Sequence, residues 1–352
     1  MCARLLIDLN KIRENALAVN DICRSAGISI TAVTKMHRAD PNICRAILSS
    51  GIGILGDSRL QNLEKIAGLN CEKWLIRQPA ISECREAVRL ADVSLNSEMA
   101  VIKALDDEAG KAGRMHGVVL MFDLGDLREG YFYDEDILFA AGETLSLKNI
   151  RLCGIGTNLS CYGGVQPDYG NLSRLVSIAE RIEAEFGLML EYVSGGSSTS
   201  YSLIQKGDMP EGIDNLRIGD TILIGRDDIT RETLPYLHDD CFVLECEIIE
   251  IKEKPSVPVG TIGLASLNRT VTFEDKGIRK RAICSIGRQD IDTDMVPLDS
   301  GACVMEASSD HLLVDITDST IGYRVGDTMR LKLKYASAMR AFTSDYVIKE
   351  YI

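Results

Sequence analysis

The stretch "ISITAVTKMHRAD", residues 28–40, alternates apolar with small polar residues for seven positions and then reaches Lys35. This alternation predicts a buried strand, and the polar residues that follow predict a loop. A lysine at a strand end is most simply a surface charge. The alternative is that its amine is held at the mouth of a barrel, where it has a chemical task.

Short β-rich segments alternate with helical patterns through the first two thirds of the chain, and one such pattern places apolar residues at helical spacing from Leu172 to Phe186. The alternation predicts parallel strands that are covered on both faces. Eight such segments favour a closed (β/α)8 TIM-type barrel over an open doubly wound sheet. The predicted strands are residues 28–34, 53–56, 73–78, 93–97, 117–125, 150–160, 190–196 and 220–225.

The pattern changes near residue 235, after which short strands are separated by turns. This pattern predicts an antiparallel β-domain. We therefore expect a barrel domain at residues 1–230 and a C-terminal β-domain at residues 231–352, with the alternative that the first few residues join the β-domain. Residues 267–277 are expected to form an exposed polar loop or hairpin.

The composition argues against several classes of partner. The 352 residues carry a formal net charge of −13, whereas nucleic acids and anionic membranes are bound through clustered Lys and Arg. The N-terminal segment lacks the apolar core of a signal peptide, and no apolar run reaches the roughly 18 residues of a membrane span. Eleven cysteines without CxxC pairs and four dispersed histidines favour reduced thiols over a zinc site. We expect a cytoplasmic protein without a bound metal.

Polar residues follow the predicted strands, at the end of a barrel where functional residues lie. After the seventh strand, the run "SGGSS" at 194–198 combines flexible glycines with hydroxyls at the start of a predicted helix. This loop predicts a phosphate cradle, although a Gly-Ser turn with a helix cap explains the loop alone equally well. A phosphate opposite Lys35 suggests pyridoxal phosphate, which forms a Schiff base with a lysine amine. Without that context, Lys35 is more simply a salt-bridged or snorkelling lysine.

The segment "AVTKMHRAD" resembles the pyridoxal-lysine segment of the alanine-racemase-like (fold type III) enzymes. Further strings, "DLGDLREGYF", "NLSCYGG", "VSGGSS", "EKPSVPVG", "EDKGIRKRA" and "SSDHLLVDITDS", resemble those of the ornithine racemases within that family. Their order and spacing cover nearly the whole chain. The resemblance implies a pyridoxal-phosphate barrel followed by a β-domain, in a head-to-tail homodimer whose active sites lie between one barrel and the partner's β-domain.

The resemblance also implies roles for particular residues. Lys35 would hold the cofactor and act as one acid/base, and Arg128 would bind the substrate carboxylate as a bidentate donor. Arg217 would face the pyridine nitrogen, which would then stay unprotonated because arginine keeps its own proton; this favours racemisation over transamination. Without the resemblance, Arg217 is better explained by a strand-end salt bridge. The other implied cofactor contacts are Asn158 beside the ring and, at the phosphate, Ser197, Ser198 and the backbone of Gly219 and Asp220.

The sequence departs from the alanine racemases at several positions. Arg288, in "SIGRQDIDTD", stands where those enzymes carry the tyrosine that serves as second base, and arginine is a poor base. Asp290 is the first candidate for that role, with water or Lys35 acting on both faces as alternatives. Ala39 replaces a phosphate-binding tyrosine, and Ser309 occupies a substrate-contacting position that alanine racemases fill with methionine.

An acidic cluster, Asp290, Asp292 and Asp294, fits a substrate with a cationic side chain. The terminal ammonium of ornithine requires an anionic or hydrogen-bonding partner, which Asp290 or Asp292 would supply, although an acidic solvent loop is an equally good explanation. The resemblance, with which this cluster is consistent, implies a pyridoxal-phosphate-dependent racemase that interconverts L- and D-ornithine by removing and returning the Cα proton. A lysine or broad-specificity racemase is the closest alternative. A fold-type-III decarboxylase, a non-catalytic pyridoxal-phosphate carrier and a cofactor-free barrel lyase are more distant ones.

Overall fold

The computed structural model describes residues 3–263 and 272–352, so part of the loop expected at 267–277 lies outside the described residues. The chain forms two compact units. One comprises Ile12–His238, and the other combines the segment that ends at Lys11 with Asp239–Ile352. No helix among the described residues is long and apolar enough to cross a membrane.

Eight parallel strands close into a barrel within the first unit, and the last of them pairs with the first. The predicted (β/α)8 architecture is therefore confirmed. In chain order, the strands up to residue 218 are β1 (Arg4–Ile7), which belongs to the other unit, and the barrel strands β2 (Ser29–Val33), β3 (Ile54–Asp57), β4 (Glu72–Leu75), β5 (Val93–Asn96), β6 (His116–Met121), β7 (Ile150–Gly156), β8 (Tyr192–Ser197) and β9 (Asn215–Ile218). The helices are α1 (Leu9–Ser25), α2 (Pro41–Leu48), α3 (Leu60–Lys65), α4 (Cys84–Leu90), α5 (Met99–Ala112), α6 (Asp134–Leu145), α7 (Tyr169–Phe186), α8 (Tyr201–Lys206) and α9 (Asp220–Ile224).

The last barrel strand differs from the prediction. The sequence predicts a strand at 220–225, but β9 precedes this segment, which folds largely as α9. The prediction is wrong here because a short apolar run fits a strand and a buried helical turn equally well. Gly225, with a φ of +62°, ends the helix in the left-handed conformation. The correction places Arg217 in the barrel wall and Gly219 at its rim.

A buried apolar cluster fills the space between β3, β4, β5, β6 and β7. The Trp74 ring also meets the Tyr192 ring edge to face, with centroids 4.8 Å apart. Both rings hydrogen-bond the Glu72 carboxylate, from the Trp74 indole N–H at 2.7 Å and from the Tyr192 hydroxyl at 3.2 Å. This packing joins β4 to the non-adjacent β8. The cluster consists of Ile54, Trp74, Val93, Leu95, Val119, Met121 and Cys153.

The described residues of the second unit form an eight-stranded sheet. Besides β1, its elements are β10 (Phe242–Pro255), β11 (Ile278–Cys284), β12 (Met295–Pro297), β13 (Cys303–Ala307), β14 (Leu312–Asp315), β15 (Thr328–Leu333), α10 (Tyr335–Thr343) and β16 (Ile348–Tyr351). The strand order is β12-β15-β10-β11-β14-β13, and β1 pairs with β10 and β16. The β-domain is confirmed, and its strands pair antiparallel except for β1 and β16, which are parallel. This exception arises because the two strands come from opposite ends of the chain, where no hairpin fixes their relative direction.

The segment 231–238 belongs to the barrel unit. The Leu234 N–H donates to the Gly225 carbonyl at 2.9 Å, and the Tyr236 hydroxyl lies 3.2 Å from the Tyr201 hydroxyl. The expected boundary after residue 230 therefore falls inside this unit, eight residues before the observed division at His238.

Gly154 in β7 lies against the backbone of β8, since a Cβ built on it would be 2.0 Å from the Tyr192 carbonyl oxygen. Gly154→Ala must therefore force two paired strands apart, and we expect it to lower the free energy of unfolding by about 2 kcal/mol or more. Gly53→Ala is the matched control, because a Cβ there meets no heavy atom within 4 Å. Urea unfolding of both variants measures the effect, and equal losses would contradict the described packing.

Candidate active site

The carboxyl ends of β2, β9 and β8 are neighbours at one rim of the barrel. Ala32 pairs with Ile218, and Arg217 pairs with Ser197, so the chain leaves these strands side by side. Lys35 follows β2 by two residues and is exposed. The geometry therefore gathers at one rim the predicted cofactor lysine and the predicted phosphate loops.

Lys35 begins a tight turn that is tied to β3. The Arg38 N–H donates to the Lys35 carbonyl at 3.2 Å, and the Ala39 N–H donates to the Thr34 carbonyl at 3.1 Å. The Thr34 hydroxyl also donates to the buried Asp57 carboxylate at 2.6 Å. Burial raises the pKa of Asp57, while the Thr34 hydrogen bond and the charge of Lys35 oppose the shift. Asp57 thus fixes the backbone from which the Lys35 amine extends.

Ser198 connects the loops that follow β8 and β9. Its buried hydroxyl accepts the Gly219 N–H at 3.1 Å. Gly219 packs on β2, since a Cβ there would lie 3.1 Å from the Val33 Cβ. Two residues further on, the Thr221 hydroxyl is buried without a hydrogen-bond partner, and Ser197 is half-buried at the end of β8. The rim therefore presents hydroxyl and backbone N–H donors in a confined space.

Asp220 adds a carboxylate next to this cradle. Its side chain is 17% exposed and lies 3.6 Å from the Arg226 guanidinium, which also contacts Asp228 at 3.4 Å. Burial and the charge of Asp228 raise the pKa of Asp220 well above its ordinary value, whereas Arg226 and Lys35 oppose the shift. The carboxylate of Asp220 is therefore costly to ionise in the folded chain.

Arg217 is 4% exposed, and its guanidinium donates to the Ser194 hydroxyl at 2.7 Å and to the Thr157 carbonyl at 2.5 Å. The Ser194 hydroxyl donates onward to the Asn215 side chain at 2.7 Å, which leaves its lone pairs for Arg217. Burial lowers the pKa of Arg217 to about 10, and the charge of Glu129 opposes the shift. Arg217 therefore stays protonated at neutral pH.

Arg128 lies in the loop after β6 and meets the loop after β7. Its guanidinium donates to both carboxylate oxygens of Glu129 and to the Cys161 sulfur, the latter at 2.7 Å. When the Asn158 amide is oriented with its oxygen toward Arg128, this oxygen accepts the two terminal guanidinium N–H groups at 3.2 and 3.3 Å. Glu129 raises the pKa of Arg128. The structure therefore brings the predicted carboxylate-binding arginine into contact with the predicted ring-binding asparagine.

Sequence reasoning missed Glu129, Cys161 and Asp126 at this rim. Glu129 and Cys161 lie inside the strings "DLGDLREG" and "NLSCYGG". Their charged or nucleophilic side chains, close in sequence to Arg128 and Asn158, could have marked them as site residues. Asp126 lies in the first of these strings as well, but its role gives no sequence signal, because the partners of its carboxylate are backbone N–H groups.

In the sheet unit, Arg288 is 9% exposed and lies between two carboxylates, Asp292 at 2.8 Å and Glu306 at 2.7 Å. Arg340 also reaches Asp292, at 3.5 Å. Although burial opposes it, pairing with Glu306 and Asp292 raises the pKa of Arg288. Arg288 is therefore a fixed cation, and Asp292 is already paired with two guanidinium groups.

The other predicted residues of the sheet unit have separate surroundings. Asp290 is half-buried and accepts the Ser344 hydroxyl at 2.6 Å. Asp294 accepts two backbone N–H groups at the start of α10, at 2.9 and 2.8 Å, and Ser309 is exposed. Asp294 therefore caps the start of α10, whereas the Asp290 carboxylate lies beside the hydroxyl of Ser344.

The raised pKa of Asp220 predicts a pH-dependent stability. Because the folded state binds this proton more tightly than the unfolded state, the contribution is present at low pH and is lost as pH rises above the ordinary aspartate range. We expect the free energy of unfolding of the wild type minus that of Asp220→Asn to be more positive at about pH 5 than at about pH 8. Urea unfolding without added cofactor measures it, and a difference independent of pH would contradict the assignment.

Residues 7–226 match the family described as "Alanine racemase, N-terminal domain". The chain is 44% identical over 351 residues to the ornithine racemase of Acetoanaerobium sticklandii, covering 99% of each chain. It is 40% identical over 351 residues to the lysine racemase of Thermotoga maritima, covering 99% of this chain and 98% of that relative. The solved alanine racemase from Bartonella henselae with covalently bound pyridoxal phosphate shares 16% identity and a TM-score of 0.74, over 100% of both chains.

The structural likeness establishes the fold, and the sequence identities extend through both units. Together with the matched domain, they confirm the family that the motifs predict: this chain belongs to the alanine racemase family.

Proposed function

We propose that the protein is a pyridoxal-phosphate-dependent racemase that interconverts L- and D-ornithine. The observation that carries the proposal is the convergence of Lys35, the Ser198–Gly219 contact and buried Arg217 at one barrel rim. The 44% identity to a relative named ornithine racemase supports the substrate. The 40% identity to a relative named lysine racemase favours lysine as the second candidate substrate.

The residues at this rim fit pyridoxal phosphate. The buried Thr221 hydroxyl has no partner, and the Ser198 hydroxyl, which accepts the Gly219 N–H, keeps its own proton to donate; together they form a donor set that suits a phosphate group. When bound, the cofactor withdraws electrons from Cα so that the Cα proton can leave. The residues that would hold it are Lys35, Asn158, Ser197, Ser198, Arg217, Gly219 and Asp220.

Lys35 is placed to move the Cα proton. Its turn is anchored through Thr34 to Asp57, so the amine extends from a fixed point at the rim. Lys35 accepts the proton from one face of Cα when one enantiomer reacts and donates a proton to that face when the other enantiomer reacts, while the acid/base on the opposite face does the reverse. A positioned amine of this kind is a general acid and base.

Arg128 binds the substrate carboxylate in this proposal. It already holds the two oxygens of Glu129 with a pair of N–H groups, which is the forked geometry that a carboxylate requires. Asn158 and Cys161 contact the same guanidinium. The substrate carboxylate would take the place of the Glu129 carboxylate on this guanidinium and would so be held at the loops that follow β6 and β7.

Arg217 directs the chemistry toward racemisation. Arg217 would hold the pyridine ring as a donor and, because arginine keeps its proton, it would leave the ring nitrogen unprotonated. The bound cofactor would then supply a weaker electron withdrawal, which favours return of the proton to Cα over its delivery to another carbon. A carboxylate at this position would favour transamination instead.

Asp290 is the proposed acid/base for the opposite face of Cα, contributed by the partner subunit of a head-to-tail homodimer. Arg288 is paired with two carboxylates, and Asp292 with two guanidinium groups. Asp290 instead lies beside the Ser344 hydroxyl, where a carboxylate is able to exchange a proton. Asp292 and Ser309 are the further proposed substrate contacts.

Exposed aromatic side chains support a partner at the barrel rim. Tyr162 is 76% exposed, Tyr133 67% and Tyr169 63%, and large exposed apolar groups of this kind mark interaction surfaces. A second copy of the chain is the proposed partner. The proposal places the dimer in the cytoplasm, where exposed thiols such as Cys161 stay reduced.

Conversion of single enantiomers tests the function directly. With pyridoxal phosphate and pure L-ornithine in deuterated water, we expect loss of optical rotation together with deuterium at Cα, because inversion requires the Cα proton to leave. D-ornithine should reach the same end point. Lys35→Ala should lose both signals and the visible absorption band of the bound cofactor.

Three outcomes of this experiment would contradict or change the proposed function. Deuterium incorporation with retained chirality would exclude racemisation, and release of carbon dioxide would indicate decarboxylation. A kcat/KM that is higher for lysine than for ornithine would select the second candidate substrate.

Asp290→Asn tests the second acid/base. We expect kcat for ornithine to fall by about 10²-fold or more in both directions, because an amide cannot take a proton from Cα. Asp292→Asn is the matched control, and it should act mainly on KM because Asp292 is a proposed substrate contact whose pairing with Arg288 and Arg340 keeps it from acting as the acid/base. Steady-state kinetics in both directions measure this. An unchanged kcat in Asp290→Asn would transfer the role to water or to Lys35 acting on both faces.

A further inference from the structure

Asp126 is a fully buried carboxylate in the loop after β6. It accepts the backbone N–H groups of Cys161 at 3.2 Å, Tyr162 at 2.8 Å and Val165 at 3.1 Å, all from the loop after β7. The Asp126 carbonyl also accepts the Gly163 N–H at 3.0 Å. One residue therefore gathers four backbone donors of a loop that lies more than thirty residues further along the chain.

The contact between the two loops is close. A Cβ added to Gly163 would lie 2.8 Å from the Asp126 carbonyl oxygen, so the loop backbone rests directly on Asp126. Burial opposes ionisation, but the backbone donors outweigh it and hold the pKa of Asp126 below its usual value. A carboxylate that is bound by several N–H groups keeps its charge and its geometry together.

The same two loops carry the residues that meet at the substrate carboxylate. Arg128 follows Asp126 by two residues, and its guanidinium contacts Asn158 and Cys161. Cys161 therefore contacts Arg128 through its sulfur and Asp126 through its N–H. Asp126, Cys161 and Arg128 thus form a closed chain of contacts. The position of Arg128 therefore depends on how the loop after β7 is attached to the loop after β6.

Asp126 is not required for the turn of its own loop. The Asp123 carboxylate accepts the Gly125 and Leu127 N–H groups at 2.8 and 3.1 Å, and two backbone hydrogen bonds of 2.8 Å, from the Asp123 N–H to the Tyr131 carbonyl and from the Tyr131 N–H to the Met121 carbonyl, also close the first loop. Leu127 has a φ of +57°, an unfavourable conformation for a residue with a side chain. Contacts on both sides of Leu127 must hold this conformation, which sets the direction of Arg128.

We propose that Asp126 is a positioning residue for substrate recognition: it fastens residues 160–165 to residues 123–130 and thereby holds Arg128 and Asn158 in register for the α-carboxylate of the amino acid. This inference rests on the proposed function, since it assigns the carboxylate to Arg128. It adds a residue that touches neither substrate nor cofactor.

Asp126→Asn tests the inference, because the amide keeps the shape but loses the charge and one acceptor oxygen. We expect KM for ornithine to rise about tenfold or more, with a smaller change in kcat, because misplacement of a binding group weakens orientation. Inhibition by 1,4-diaminobutane, a diamine that lacks the carboxylate, should be unchanged. An equal loss of apparent affinity for ornithine and for 1,4-diaminobutane would overturn the proposed role of Asp126.

Asp106→Asn is the matched control. Asp106 also accepts a backbone N–H, from Asn149 at 2.6 Å, together with the Asn149 side chain at 3.1 Å. These residues lie at the amino end of β7, opposite the candidate site. The control should therefore lose comparable thermal stability while keeping the wild-type KM, and a rise in KM in both variants would reduce Asp126 to a structural role.

Amide hydrogen exchange supplies a readout that does not depend on activity. In Asp126→Asn without cofactor, the amides of Cys161, Tyr162 and Val165 should exchange faster while those of the barrel strands do not. Unchanged exchange would show that Asp126 does not fasten the loop. Failure of the proposed function would appear differently, as absent racemisation by the wild type.

Discussion

Closure of the parallel barrel is the constraint on which the candidate site depends. Because β2 pairs with β9 and β9 pairs with β8, segments separated by more than 150 residues in sequence end side by side. The rim then combines a lysine from the first barrel strand with a buried arginine and a serine–glycine contact from the last two. An open sheet with the same strand order would leave β2 and β9 at opposite edges, and these groups would not meet.

The electrostatics of the rim follow from this closure. Lys35, Arg128 and Arg217 are brought together with the carboxylates of Asp57 and Glu129. Buried Arg217 has neutral acceptors from Ser194 and Thr157, so a chain with net charge −13 keeps at this rim a site with a buried guanidinium that is bonded to neutral groups. A phosphate and an α-carboxylate both require such a site, whereas the side-chain ammonium of the proposed substrate requires an acidic group elsewhere.

Much of this arrangement was predictable from the sequence. Alternation before Lys35 predicts β2, and the glycine–serine run after Val193 predicts the phosphate loop. The apolar run at 222–224 was misread as a strand because three apolar residues do not distinguish a strand from a helical turn. The role of Asp126 was not predictable, since its partners are backbone N–H groups that carry no residue-type signal. The ion pair of Arg288 with Glu306 was missed for a related reason, because it depends on the strand register of the sheet unit.

Chemical capture of the cofactor shows whether Lys35 holds it. The purified protein is incubated with pyridoxal phosphate, reduced with borohydride, digested and analysed by peptide mass spectrometry. We expect one pyridoxyl-modified peptide, with the label on Lys35, and loss of that label when Gly219→Trp fills the rim beside Ser198. A label on another lysine, or no label at a saturating cofactor concentration, would contradict the assignment of this rim as the cofactor site.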